Sequence, residues 1–235
     1  MNLTGILVVN KPVGITSFDC IRHIKKIVGK KEKIGHAGTL DPFASGVMII
    51  AIGRDATRQL TQLTAANKRY IVTARLGQLT DTMDKTGQTI TDEQAPCLTS
   101  SDLENAAHAL MPSYEQVPPM YSSLKHKGQP LHKLARQEKL STEALEEIVQ
   151  DKAREVHIFD FALESFEPPF FSFSTTVSKG TYIRSLANDI AQKCGTVATC
   201  YELQRTEVGQ FSLSQACNLH DLQTIDDISH ALIHP

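Results

Sequence analysis

Two side chains able to do chemistry stand five residues apart in a glycine-rich stretch: His36 and Asp41 in Gly-His-Ala-Gly-Thr-Leu-Asp-Pro-Phe-Ala-Ser-Gly (35–46). Pro42 fixes its own φ and drives the preceding residue towards an extended backbone. Asp41 is therefore expected on a rigid loop and outside any helix. The glycines allow φ > 0 and close approach by another molecule. A carboxylate held this way can serve as a nucleophile, and an imidazole near it can stack on a planar ligand. An Asp that only caps a turn would fit the same twelve residues.

Three further polar or aromatic residues fall at element edges where packing does not demand them. They are Tyr70 at the start of an alternating segment, and Tyr182 and Arg184 at an expected strand-to-helix turn. A guanidinium beside a carboxylate keeps it charged and nucleophilic. Taken singly, a core tyrosine, a surface ion pair and a satisfied loop histidine explain them as well.

The elements that must position these residues follow from pattern. Residues 5–10 form a short apolar run stopped by Lys11-Pro12, which suits a buried strand entering a loop. Thr16 and Asp19 are spaced as a capping box, and the helix they open carries Phe18, Ile21, Ile24 and Val28 on one face before Gly29. Residues 47–52 predict a buried strand and 55–63 a helix. Residues 68–77 alternate as a strand, with Tyr70, Val72, Ala74 and Leu76 on one side. A polar turn over 80–87 precedes a helix capped by Ser101 and Glu104. Strands are expected over 155–161 and 171–178, a helix from Gly180 to Gly195, and a last strand over 207–213. No regular βαβ alternation appears, so the fold class expected is α+β with a mixed, largely antiparallel sheet.

Composition excludes several functions. The chain has 235 residues, 41% hydrophobic and 21% charged, which is ordinary for a globular protein. No run approaches the ~18 apolar residues of a membrane span, and the N-terminus lacks a secretory signal. Cys20, Cys97, Cys194, Cys200 and Cys217 are scattered and, with nine histidines, show no metal-ligand spacing. Reduced thiols in a cytoplasmic protein, without metal or cofactor, are expected. The net charge of −2 hides segregation. Lys11, Arg22, Lys25, Lys26, Lys30, Lys31 and Lys33 face only Asp19 and Glu32 in one segment; Lys125, Lys127, Lys133, Arg136 and Lys139 face Glu138 in another. Such patches can hold a phosphate backbone, and solvated helix faces would look the same.

Five motifs in order carry a family resemblance. The glycine loop (35–46) resembles the catalytic motif of the TruB type of tRNA pseudouridine synthase. Gly-Ile-Leu-Val-Val-Asn-Lys-Pro-Val-Gly-Ile-Thr-Ser (5–17), Lys-Arg-Tyr-Ile-Val (68–72) with Arg-Leu-Gly-Gln-Leu-Thr-Asp-Thr-Met-Asp (75–84), Pro-Pro-Met-Tyr-Ser-Ser-Leu-Lys (118–125) and Ser-Lys-Gly-Thr-Tyr-Ile-Arg-Ser-Leu (178–186) fit the same pattern. The resemblance implies the pseudouridine synthase fold and an isomerase that converts uridine 55 of the tRNA T loop to pseudouridine without a cofactor. It implies Asp41 as nucleophile, Tyr70 against the target base, Arg184 paired with Asp41, and Tyr182 and Leu203 lining the pocket. His36 would fill the place the flipped uridine leaves. The T stem-loop of tRNA would be the partner, with no membrane, no obligatory protein partner and a monomeric enzyme.

Two departures from the family pattern stand out. The usual Leu-Arg-Arg reads Leu203-Gln204-Arg205, and the chain ends at Pro235, where bacterial relatives lead into a small PUA-like RNA-binding domain. One catalytic domain over 1–235 is expected, with a basic RNA-gripping insertion at about 117–145 and no PUA-like module. A tRNA-folding chaperone without essential catalysis, and a subunit dependent on a guide RNA, are the alternatives.

Overall fold

The apolar run after the glycine loop lies at the centre of a sheet. The computed structural model describes residues 3–136 and 141–233, and the chain forms two units, Met1–Ile71 with Glu202–Pro235, and Val72–Tyr201.

The first unit opens with β1 (Gly5–Lys11) and α1 (Ser17–Val28). The capping box forms as read: Thr16 Oγ accepts from the Asp19 amide, and the Asp19 carboxylate accepts from the Thr16 amide at 2.9 Å. Gly29, at φ +102, ends α1. Then come β2 (Ile34–Ala37), β3 (Ser45–Ile52), α2 (Arg54–Arg58) and α3 (Leu60–Ala65). The single helix expected over 55–63 is thus broken at Gln59. The break lets Leu60 and Leu63 lie against the cluster containing Ala37 and Ile49. β3 pairs antiparallel with β1 and with β2. Leu7, Val9, Met48, Ile50 and Ile52 pack on one face with Cys20, Ile21 and Ile24 of α1. Ile6, Val8, Val47, Ile49 and Ala51 pack on the other, with Ala56 and Phe211. Burial on both faces is why these strands read as unbroken apolar runs.

β4 (Lys68–Leu76) carries the chain into the second unit, with Tyr70, Val72, Ala74 and Leu76 buried as expected. The polar turn proves to be the tip of a hairpin, β5 (Gln78–Thr80) and β6 (Thr89–Asp92). α4 (Ser100–His108) is capped two residues earlier than read, by Thr99 and Asp102, whose carboxylate accepts from the Thr99 amide at 2.7 Å. That register turns Leu103, Ala106 and Ala107 inward. β7 (Ser113–Gln116) is followed by a small hairpin, β8 (Lys125–His126) and β9 (Gln129–Pro130), then α5 (Leu131–Arg136) and α6 (Thr142–Gln150). β10 (Arg154–Glu167) pairs antiparallel with β7 and with β11 (Phe170–Val177). α7 (Ile183–Lys193) follows, its Leu186 and Ile190 fully buried.

β12 (Ala198–Val208) brings the chain back to the first unit, where it pairs parallel with β3, Arg205 opposite Gly46. The strand expected over 207–213 is only the end of this element and its hairpin with β13 (Phe211–Ser212). Glu202 and Arg205 break the apolar pattern and hide the rest of β12 from a hydrophobicity reading. β14 (Cys217–Asn218), α8 (Ile225–Ala231) and β15 (Leu232–Ile233) finish the chain, β14 parallel and β15 antiparallel to β1. The architecture is α+β with mixed, mostly antiparallel pairing. Among the described residues no helix is long and apolar enough to cross a membrane.

Ile24, wholly buried under β1 and β3, is the inner anchor of α1. Ile24→Ala is expected to lower stability by about 2–5 kcal/mol in urea unfolding; a loss under about 1 kcal/mol would show that the cluster does not hold α1.

Candidate active site

Of the sequence-selected residues, His36, Asp41, Tyr70 and Leu203 belong to the first unit, and Tyr182 and Arg184 to the second. Each group is built up within its own unit.

His36 lies near the end of β2, and residues 38–44 connect that strand to β3. Pro42 is exposed and Asp41 half-buried, while Leu40, Phe43 and Ala44 point into the protein. The loop's backbone is tied down on both sides of Asp41. Ser17 Oγ, at the start of α1, donates to the Leu40 carbonyl at 2.9 Å and accepts from the Leu40 amide at 2.8 Å. The Gly14 amide donates to the Pro42 carbonyl at 2.7 Å. Arg205, 1% exposed, reaches from β12: Nη2 donates to the Gly38 carbonyl at 3.1 Å and Nε to the Val47 carbonyl at 2.8 Å. One guanidinium thus spans the loop from its entry to the strand that follows it.

Gly46 makes this reach possible. Its φ is +112, and a Cβ there would overlap the Arg205 carbonyl oxygen. Only glycine fits where β3 and β12 come this close. Lys11, opposite Gly46 on β1, is also fully buried. Its ammonium donates to the Pro12 and Ile15 carbonyls, each at 2.9 Å, and so shapes the turn before α1. Burial lowers its pKa to about 8; Cys20 and Asp41 pull it up, and Arg205 pushes it down. Lys11 therefore leaves the group of charges available to a phosphate backbone.

Tyr70 and Leu203 are each 6% exposed, on β4 and β12. His36 is half-buried, and its Nδ1 has no hydrogen-bond partner among the described residues. Burial, and then Arg205, lower its pKa. A neutral ring with one unpartnered nitrogen carries a cost of about 1–3 kcal/mol that a bound partner would relieve.

In the second unit, Tyr182 is the N-cap residue of α7 and Arg184 lies in its first turn, 3% exposed. Arg184 donates to the Thr82 carbonyl, and to the Tyr121 carbonyl at 2.9 Å. Asp84 faces it at 3.8 Å, both side chains buried. Asp84 also accepts from the Thr86 amide at 2.9 Å. Met83 between Thr82 and Asp84 has φ +58, an unfavourable value for a side chain with a Cβ. That twist accompanies the inward aim of the Thr82 carbonyl and the Asp84 carboxylate at one guanidinium. The Tyr182 ring lies under the Arg154 guanidinium, 5.2 Å from the ring centroid.

Arg22, Lys26, Lys30, Lys31 and Lys33 in the first unit are exposed, as are Lys125, Lys127, Lys133 and Arg136 in the second. Lys127 and Gly128, both at positive φ, turn the β8–β9 hairpin and put Lys127 at its tip. Lys139 lies outside the described residues. The five cysteines are free.

Lys11, Ser17, Asp84 and Arg205 were not selected from sequence as site-builders. Lys11, Ser17 and Asp84 fall inside the quoted motifs without a role of their own, and Arg205 shows as a charge on the same strand face as the buried Leu203. The lowered pKa of His36 predicts a neutral ring at pH 7. The unfolded chain binds the proton between that lowered value and 6.5, so the His36 contribution to stability rises with pH across this window. An NMR titration should place the His36 midpoint below 6.5; a midpoint at or above it would contradict the burial argument.

Comparison with known proteins matches these motifs to one family. Residues 25–183 match the model of the TruB family pseudouridylate synthase N-terminal domain, and 184–232 that of the tRNA pseudouridylate synthase B C-terminal domain. A tRNA pseudouridine synthase B from Syntrophotalea carbinolica is 40% identical over 94% of this chain and 69% of its own. One from Clostridium acetobutylicum is 42% identical over 94% of this chain and 72% of its own. Among solved structures, an H/ACA RNP bound to a substrate RNA containing 2'-deoxyuridine aligns at TM-score 0.68 and 25% identity, over 98% of this chain. A Cbf5-Nop10-Gar1 complex aligns at TM-score 0.68 and 28% identity, over 93% of it. The chain spans 59% and 53% of the lengths of those two matched chains. The fold is that of the pseudouridine synthases, and the chain belongs to the TruB family of pseudouridylate synthases.

Proposed function

We propose that this protein isomerises the T-loop uridine 55 of tRNA to pseudouridine. The uracil is detached from ribose C1′ at N1 and rejoined through C5. The C5 proton leaves and N1 gains one, so atoms and electrons balance without an external reagent. The observation that carries the reading is the loop of Asp41: a half-buried carboxylate whose neighbours Leu40 and Pro42 are both fixed by backbone hydrogen bonds. A nucleophile that must meet one atom of a large substrate gains most from such fixed orientation.

Asp41 attacks the ribose or the base and thereby cuts the glycosidic bond. Tyr70 lies against the base and assists a proton transfer. Tyr182, Arg184 and Leu203 bind the extruded uridine. A base taken from the T-loop stack costs a few kcal/mol to flip; the neutral ring of His36 enters the vacated place. The exposed cations of 22–33 and 125–136 hold phosphates, which makes binding salt-sensitive and largely shape-directed. Identity supports a tRNA enzyme over a guide-dependent subunit: 40% and 42% to the two proteins named tRNA pseudouridine synthase B, against 25% and 28% to the chains of the H/ACA RNP and of the Cbf5-Nop10-Gar1 complex.

Incubated with a T-arm transcript carrying C5-tritiated uridine, the protein should release tritium, and Asp41→Asn should abolish release while RNA binding persists. Release by Asp41→Asn near the parental rate would remove Asp41 from the nucleophile's role. Tight binding without release by the parent would instead indicate the chaperone.

A further inference from the structure

Within the second unit, α7 begins without a side-chain cap of its own. Tyr182, its N-cap residue, is held from outside by Gln116, the last residue of β7 and 1% exposed. The Tyr182 amide donates to Gln116 Oε1 at 2.7 Å, and Gln116 Nε2 donates to the Tyr182 carbonyl at 3.1 Å. A single amide thus meets both backbone groups of one residue, as a paired strand would.

The orientation of that amide is set from behind. Tyr114 donates its hydroxyl hydrogen to Asp189 at 2.7 Å, leaving the phenolic oxygen to accept from Gln116 Nε2, also at 2.7 Å. Nε2 must therefore face Tyr114 and the Tyr182 carbonyl, and Oε1 must face the Tyr182 amide. Asp189 is on α7 itself, so the chain of bonds starts and ends on the helix it orients. The cross-strand neighbour of Gln116 is Arg154, which lies over the Tyr182 ring and donates to the Gly180 carbonyl. Two more bonds join α7's first turn to the segment after Gln116: Ser185 Oγ to the Val117 carbonyl and Arg184 Nη2 to the Tyr121 carbonyl, each at 2.9 Å.

We infer that Gln116 is a positioning residue of the isomerase, oriented by Tyr114 and Asp189, which fixes the α7 N-terminus and with it the aim of Tyr182 and Arg184. The inference rests on the reading of Tyr182 and Arg184 as uridine-binding residues. Gln116 touches neither substrate nor reacting atoms; its effect passes through the backbone of Tyr182.

The test compares Gln116→Ala, Gln116→Glu and Tyr114→Phe with the parent, and uses Arg184→Met as a reference. Glutamate keeps the shape and the acceptor but loses the donor, so it reports on the bracket even if alanine unfolds the protein. Tritium release from C5-labelled T-arm RNA gives kcat and KM, filter binding gives Kd, and urea unfolding checks the fold. Expected is a kcat lowered about 10- to 100-fold in Gln116→Glu, with Kd for the RNA within about twofold of the parent and an unfolding midpoint that falls but leaves the variant folded under the assay conditions. Tyr114→Phe should show a smaller loss of the same kind. A kcat for folded Gln116→Glu within about twofold of the parent, or a loss accounted for by weaker Kd or by an unfolded fraction under the assay conditions, would overturn the inference. If Arg184→Met is inactive while Gln116→Glu is unimpaired, the positioning claim alone falls. If Arg184→Met turns over at the parental rate, the reading of Tyr182 and Arg184 falls and the inference with it.

Discussion

The close crossing of β3 and β12 at Gly46 is the constraint on which the first unit's site depends. The absent side chain lets the backbone of Arg205 lie against Gly46, and the guanidinium can then bond the Gly38 and Val47 carbonyls. A buried charge is tolerated only when its hydrogens find partners, and here the Gly38 carbonyl of the loop and the Val47 carbonyl of β3 supply them. The same residue that must be satisfied therefore fixes the loop. Lys11 works alike on the turn before α1, through two carbonyls.

The second unit follows the same rule with different parts. Arg184 is buried, so it collects the Thr82 and Tyr121 carbonyls and faces Asp84. Removing one partner of such a pair leaves the other charge buried and uncompensated, which costs more than the pair contributes. Residues far apart in the chain are thereby committed to one geometry, and the Arg184 guanidinium gains a fixed direction. The exposed cations differ in kind: they lie at the surface, where Arg22 bonds Asp19 at 2.6 Å and lies over the Phe18 ring, and burial does not force them onto carbonyls.

Sequence reading succeeded where the signal is local. Glycines and Pro42 marked the connection that carries Asp41, Thr16 and Asp19 marked the start of α1, and the alternation of Tyr70, Val72, Ala74 and Leu76 marked β4. It failed where a tertiary partner decides. Most of β12 was missed because Glu202 and Arg205 interrupt its apolar pattern, and Arg205 is inside only because loop carbonyls await it. The cap of α4 lay at Thr99, since two capping boxes were available by spacing and the packing of Leu103 and Ala107 chose between them. Asp84 closed a family motif but was given no role, and Gln116 left no trace, because the groups that give them meaning lie on α7, far along the chain. The family motifs brought the candidate residues to notice; the clamps that hold them are visible only in three dimensions.

The most direct measurement is the single-turnover rate of Arg205→Lys on a T-arm RNA, alongside its RNA affinity. Lysine keeps the charge but lacks the guanidinium fork that spans the Gly38 and Val47 carbonyls. If Arg205 sets the geometry of the Asp41 loop, the rate should fall about 10- to 100-fold while Kd stays within about twofold of the parent. A rate equal to the parent's, in a variant that folds and binds RNA normally, would contradict the claim that this guanidinium holds the nucleophile's loop in its working shape.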